Sequence, residues 1–330
     1  MNDAPVLYIA YNRPNKVKET LAALVHSYKA PEYIALDGPK AGNIIDEEKC
    51  TGVRNEVRKL TGKESKLLVS DVNMGCKSRI SSALDAIFKE HDSVVVIEDD
   101  ILVSASFVPY MKMMLEKYNE DDRVYALHGY NFGMDYKPTE VRVTKYFNMW
   151  GWATWRRSRQ LVDYSMSEWI RQSELNKYRF LWKNLGSIVQ DPGWSQYYKL
   201  MYDKVANGAL DSWAYCWMYA QLKSGGGSII PPKNMVKLIG YDEDALHTKS
   251  DESGLTDVDI EIYDSRVSIP SGELVYDHRY DKEAVRGMWE PYNQDYKIHR
   301  LGSIAKEIVT NGHGKKVLKA LRSYIYNKRK

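Results

Sequence analysis

The sequence predicts an α/β fold: a mostly parallel, twisted sheet with helices on both faces, followed by a smaller α+β part and a helical C-terminal tail. Three observations carry this expectation. Short apolar strands and amphipathic helices alternate from Val6 to Tyr118. One strand, Ser93-Val94-Val95-Val96-Ile97, is apolar without a break, as a strand covered on both faces must be. Each strand also runs into a polar turn: Asn12-Arg13, Asp37-Gly38, Asn73-Met74-Gly75 and Glu98-Asp99-Asp100.

In chain order, Val6 to Tyr11 reads as the first strand. Pro14 then presets the start of a helix with Val17, Leu21, Leu24 and Val25 on one face. Glu32 to Leu36 is a second strand, Asp46 to Leu60 a helix, and Lys66 to Ser70 a third strand. The helix expected from Ser78 to Glu90 turns Ile80, Leu84 and Ile87 inward. After the acidic triplet a further helix is expected from Ser104 to Tyr118, with Pro109 tolerated near its first turn. In open sheets of this kind ligands bind beyond the carboxyl ends of the strands, where the four polar turns would meet. Each turn taken alone is also ordinary turn chemistry.

The second half changes character. Arg123 to Tyr130 and Val141 to Met149 read as strands, followed by the aromatic run Trp150-Gly151-Trp152-Ala153-Thr154-Trp155. Helices are expected over Ser167 to Asn184 and Trp194 to Asn207, broken by Asp191-Pro192-Gly193. Another is expected over Ser212 to Lys223, with Asp211 as its N-cap and Gly225-Gly226-Gly227 as its stop. Ser228 to Ile230 and Val236 to Tyr241 are short strands, ahead of a polar loop containing His247. The tail from Leu301 is basic. Ile304 and Ile308 mark one apolar helical face there, and Val317, Leu318, Leu321 and Ile325 another.

Composition narrows the class. The chain has 330 residues, 44% hydrophobic and 28% charged, which suits a soluble globular enzyme. A net charge of +3 gives no case for a nucleic-acid partner. Cys50, Cys76 and Cys216 have neither zinc-ligand spacing nor a disulfide pattern, so a reducing, cytoplasmic setting is expected. No basic, apolar leader opens the sequence, and no apolar run approaches the roughly 20 residues of a membrane span. A GxxxxGK[ST] phosphate loop and a strand-linked GxGxxG are absent. Aromatic usage is unusual: 25 Tyr and 9 Trp stand against 5 Phe. Amphipathic rings suit surfaces that are partly apolar and still hydrogen-bond, such as sugar-stacking clefts.

The triplet Glu98-Asp99-Asp100 carries the chemistry. An apolar strand gains nothing from ending in three mutually repelling carboxylates. A hard divalent ion, which takes oxygen ligands and leaves positions for phosphate, would remove the difficulty. An acidic loop at a sheet edge is the competing reading, and the triplet alone leaves both open.

Taken together, Ile9-Ala10-Tyr11-Asn12-Arg13, Asp37-Gly38, Arg79, Val95-Val96-Ile97-Glu98-Asp99-Asp100, Trp150-Gly151-Trp152 and Leu210-Asp211-Ser212-Trp213 resemble a GT-A-fold glycosyltransferase. More narrowly they resemble the N-acetylglucosaminyltransferase I group and its bacterial relatives. The match runs over about residues 5–250, and the last 60 or so residues match no named pattern. The resemblance implies roles residue by residue. Asp100 would hold Mn2+ or Mg2+ against the donor diphosphate. Asp99 would meet the ribose and Glu98 the transferred sugar or the acceptor, while Arg13, Asp37 and Arg79 would contact the nucleotide. Asp211 matches the general base, a role compatible with capping. His247 falls where this family closes over the diphosphate; a metal or phosphate role there competes with a solvated loop histidine. Trp150, Gly151, Trp152 and Trp213 would wall the acceptor cleft, with plain core packing as the alternative.

The implied division is residues 1–130 as the nucleotide-sugar half of one GT-A domain, 131–265 as its acceptor and catalytic-base half, and 266–330 as an extension with an amphipathic tail. The implied activity is metal-dependent, inverting transfer of a hexosyl or N-acetylhexosaminyl group. The donor would be a nucleotide-sugar, UDP-linked, and the acceptor a bacterial surface glycan or its lipid-linked precursor. The basic tail would place the protein peripherally on the inner face of an anionic membrane, or else pack on the catalytic domain. Two other classes compete. A sugar nucleotidyltransferase would open with a Gly-rich loop where this chain has Tyr11-Asn12-Arg13-Pro14. A non-catalytic glycan-binding protein leaves the intact triplet and Asp211 unexplained.

Overall fold

The computed structural model describes residues 4–132, 141–186, 192–240 and 274–282. The first half alternates as β1 (Val6–Ala10), α1 (Pro14–Ser27), β2 (Tyr33–Leu36), α2 (Ile44–Thr61), β3 (Lys66–Val69), α3 (Cys76–Ile87) and β4 (Ser93–Glu98). A short β5 (Ile101–Val103) and α4 (Phe107–Lys117) follow. Pro14 occupies the first turn of α1, and Asn43 caps α2 by accepting a hydrogen bond from the Asp46 amide.

The remaining elements are β6 (Val124–His128), β7 (Val141–Thr144), β8 (Trp152–Trp155), α5 (Arg156–Arg159), α6 (Ser167–Arg171) and α7 (Glu174–Leu181). A π-helical turn (Trp182–Gly186) continues α7. Next come α8 (Pro192–Ala206), α9 (Ala214–Ser224), β9 (Gly227–Ile230), β10 (Val236–Leu238) and β11 (Leu274–Tyr276).

Nine strands form one sheet in the order β11-β7-β9-β6-β8-β4-β1-β2-β3, and most of its pairings are parallel. β1 to β3 step outward in one direction, and the chain then returns to lay β4 on the other side of β1. That reversal creates a switch point between β1 and β4, and in open sheets ligands bind in a crevice beyond the strand ends at such a point. Asn12-Arg13 and Glu98-Asp99-Asp100 border it.

Side-chain alternation along β1 and β4 feeds two cores. Val6, Tyr8, Val95 and Ile97 pack with α1, α2 and α4, while Leu7, Ile9, Val94 and Val96 pack with α3, α8 and α9. The unbroken apolar run in β4 follows from this: both faces are covered.

Several expectations change. Trp152 to Trp155 is a strand, inserted antiparallel between β4 and β6, with Val96 opposite Trp152. Trp152 has no exposed surface, and Trp213 stacks on it with ring centroids 5.1 Å apart. Phe147 and Trp217 complete the cluster. These two tryptophans therefore fill the second core and present no ring to a ligand. The Tyr and Trp enrichment has the same explanation in Trp169, Tyr198 and Tyr202, all buried in that core. Gly151 makes a close approach, but to protein: a Cβ there would lie 2.9 Å from Val236 Cγ1. The helix expected over Ser167 to Asn184 is divided into α6, α7 and the π-helical turn. Asp211 does not cap α9, whose N-cap is Trp213. The loop with His247 and the basic tail lie outside the described residues. Among the described residues, no helix is long and apolar enough to cross a membrane.

Candidate functional site at the strand ends

The crevice is built from four strand ends. After β1, Arg13 turns its guanidinium onto the triplet. Nη2 is ion-paired with Asp99 and lies 3.1 Å from Asp100 Oδ2. The Tyr11 amide donates to Asp99 Oδ2 at 3.4 Å, and Thr20 Oγ1 donates to the Asp99 carbonyl at 3.3 Å. Asp99 is thus a buried carboxylate held by one cation and one amide. Burial pushes its pKa up to about 6 against the pull of Arg13. The Glu98 pKa is also raised, by burial and then by the neighbouring Asp100 and Asp99 charges. For Arg13, burial opposes the charge, but Asp99 and Asp100 outweigh it and the guanidinium stays protonated.

After β2, Asp37 Oδ1 accepts from the Gly38 and Met74 amides, each at 2.9 Å. Its Oδ2 accepts from Asn73 Nδ2 at 3.1 Å. The loops after β2 and β3 can meet this closely because position 38 is glycine: a Cβ would come within 2.5 Å of the Val72 backbone. Burial raises the Asp37 pKa, with the Met74 and Gly38 amides and then Arg79 opposing it. Arg79, on α3, is 7% exposed, and its Nε has no hydrogen-bond partner. Burial lowers the Arg79 pKa and Asp37 partly restores it.

Asp211 arrives from the far half of the chain. Its carboxylate lies over Gly75, the N-cap of α3, where a Cβ would fall 2.6 Å from Asp211 Oδ2. Anionic groups are favoured at a helix N-terminus. The next residue, Cys76, reports how tightly the acids converge: burial raises its thiol pKa first, then Glu98, Asp211, Asp100 and Asp37. Residues from β2, β4 and the segment before α9 thus gather around one helix start.

The structure brings together Arg13, Asp37, Arg79, Glu98, Asp99, Asp100 and Asp211. It separates Trp152 and Trp213 into the core. Trp150 is half-buried against Tyr130, with ring centroids 5.1 Å apart. Three residues escaped sequence reasoning. Asp46 accepts from Tyr11 OH at 2.5 Å, Asn12 Nδ2 at 2.6 Å and the Lys40 amide at 2.6 Å, tying the loops after β1 and β2 together. Its signal was Asn43 three residues earlier, a capping pattern. Cys76 and Gly240 carried no signal. A Cβ at Gly240 would fall 2.7 Å from Asp100 Oδ2, and the Ile239 amide donates to the Asp100 carbonyl at 2.9 Å.

For a divalent cation the donor set is partial. Among the described residues no three His, Cys, Asp or Glu side chains group as a metal cage. A hard ion held by one or two carboxylates can complete its shell with phosphate oxygens and water. Asp100, whose side chain is 32% exposed beside Arg13, is the carboxylate that such a shared ion could reach.

No family model and no curated protein matches the chain. Among solved structures, a mannosyltransferase from Pyrobaculum calidifontis in complex with GDP-Man and Mn2+ aligns with 51% of this chain at 14% identity and a TM-score of 0.29. The match spans 47% of that chain, about half its length. Similarity at this level carries no argument.

Proposed function

We propose that the protein is a glycosyltransferase that moves a sugar from a nucleotide-sugar donor to an acceptor hydroxyl. What supports the reading is Asp211 lying over Gly75 at the start of α3, with Glu98, Asp100 and Asp37 close enough to act on the neighbouring Cys76, at the switch point of the sheet.

In this reading Asp37 and Arg79 receive the nucleoside, and the unpartnered Arg79 Nε is one donor available to it. Arg13 offers its guanidinium to phosphate oxygens, and Glu98 and Asp99 border the ribose and the transferred sugar. Asp100 would hold Mn2+ or Mg2+ beside the donor diphosphate, and the ion would supply neutralisation of the charge on the departing nucleoside diphosphate. Asp211 accepts the proton of the acceptor hydroxyl as that oxygen attacks the anomeric carbon. Direct attack on the face away from the leaving group inverts the anomeric centre. The finer assignments, a UDP-linked donor and a surface glycan or lipid-linked acceptor, follow the resemblance alone. The turn after β1 has no glycine, which weighs against nucleotidyl transfer.

A panel of UDP-, GDP- and CMP-sugars incubated with the protein and Mn2+ tests the proposal, read as release of nucleoside diphosphate. Turnover of one donor, abolished by Asp100→Asn with the fold retained, is expected. No turnover of any donor, with or without candidate glycan acceptors, would refute it.

A further inference from the structure

Arg13 makes a contact that a simple nucleotide-binding role does not require. Its Nη2 bridges two carboxylates, Asp99 and Asp100. The bridge is uneven: the Asp99 side chain is 5% exposed and that of Asp100 32%. One arm is therefore buried and the other reachable from solvent. Asp100 Oδ2 is hemmed in on two sides, by Arg13 at 3.1 Å and by the backbone of Gly240, where even a Cβ would be too close. The guanidinium is held from its other side by the buried Asp99 arm, in a side chain that is itself 15% exposed. A cation approaching Asp100 Oδ2 thus meets a guanidinium already in place. Two positive charges on one carboxylate oxygen repel strongly in a half-buried site.

We propose that Arg13 is a built-in stand-in cation, which neutralises Asp99 and Asp100 in the metal-free protein and must yield Asp100 before a divalent ion binds there. This rests on reading Asp100 as the cation ligand. It gives the site an order of events. A divalent ion alone has to displace the guanidinium from Asp100 with no compensation. A nucleoside diphosphate supplies anionic oxygens that suit the planar fork of the displaced arginine, while Asp99 keeps its own arm. Metal and diphosphate then enter together, and free metal binds weakly.

The test measures Mn2+ alone, without nucleotide, by paramagnetic resonance of the free ion and by the thermal midpoint. Wild type is expected to bind Mn2+ weakly and to show little shift of its midpoint. Arg13→Met is expected to bind at least about tenfold tighter, the lower end of coupling between close charge pairs. Its midpoint, lower without metal, should rise on adding Mn2+. Adding Asp100→Asn to that variant should abolish the gain. Should Arg13→Met fail to fold, Arg13→Gln removes the charge while keeping a hydrogen-bonding end, and tighter binding than wild type is again expected. Unchanged or weaker Mn2+ binding in the folded variant overturns the exchange, as does tight metal binding by wild type without nucleotide. Donor turnover separates this from the proposed function. Wild-type turnover without a gain in Arg13→Met rejects the exchange alone. A gain in metal affinity with no donor turned over rejects the glycosyltransferase reading alone.

Discussion

Replacing Asp211 by Asn and by Ala separates chemistry from folding at this site. The structure makes both substitutions mild for stability. Asp211 is exposed, and α9 is capped at Trp213, so no helix cap is lost. What is lost is a carboxylate over the start of α3, worth about 0.3–1 kcal/mol. In a chain of 330 residues that is a change in Tm of up to roughly 1.5 °C. Asn and Ala should therefore behave alike, whereas a capping Asp would have made Ala distinctly worse. Transfer should fall about 10²–10⁴-fold in both, or about 3–5 kcal/mol of transition-state stabilisation. Donor affinity should hardly move, since Asp37, Arg79 and Arg13 lie on other segments. The assay is kcat for transfer, alongside the donor dissociation constant and thermal midpoint of each variant. Near wild-type transfer by Asp211→Asn would refute the base assignment. A loss of several kcal/mol in stability in either variant would refute the structural argument.

Three further outcomes are expected. Gly75 has φ +80° and ψ 161°, a region essentially reserved for glycine, so Gly75→Ala should cost about 1–3 kcal/mol. Measured by denaturant unfolding, that cost should shrink but persist with Asp211→Ala present, because the 2.6 Å clash goes and the backbone strain stays. Asp281 is fully buried and bonded to Thr144 Oγ1 and the Lys145 amide, while its Oδ2 makes no hydrogen bond and lies 3.9 Å from His278 Nδ1; burial raises its pKa to about 7. With the folded pKa above the unfolded one, the stability it contributes is complete below about pH 4 and lost as pH rises through 7. Relative to Asp281→Asn, the wild type should therefore lose roughly 3 kcal/mol between pH 5 and pH 8, read as the difference in unfolding free energy. Parallel pH curves for the two would contradict this. Trp152→Ala should cost about 3–5 kcal/mol, the loss of a fully buried indole, in chemical denaturation. A folded variant of normal stability with weakened acceptor binding would instead restore the cleft-wall role.

Local pattern made much of this protein legible. β1 to β4 and the helices between them follow from apolar periods of two and of about 3.6, and those periods depend on nearest neighbours along the chain. The acidic turns after β2 and β4 stood out because carboxylates at the end of a buried strand are costly wherever the rest of the chain goes. Trp152 to Trp155 was not legible as a strand. Its place depends on β4 and β6, which are remote in sequence, and aromatic residues suit a cleft wall as well as a core. The same limit applies to Asp211. An Asp shortly before a helix looks like a cap from local sequence, and only the path of the chain sets its carboxylate over Gly75 instead. Asp46, Cys76 and Gly240 are ordinary residues whose importance arises from what folds against them. Composition, period and the sign of each charge are properties of the chain. Which charges meet, and which indoles stay dry, is decided by the long-range strand order, because burial and Coulomb energy depend on distance in space rather than along the sequence.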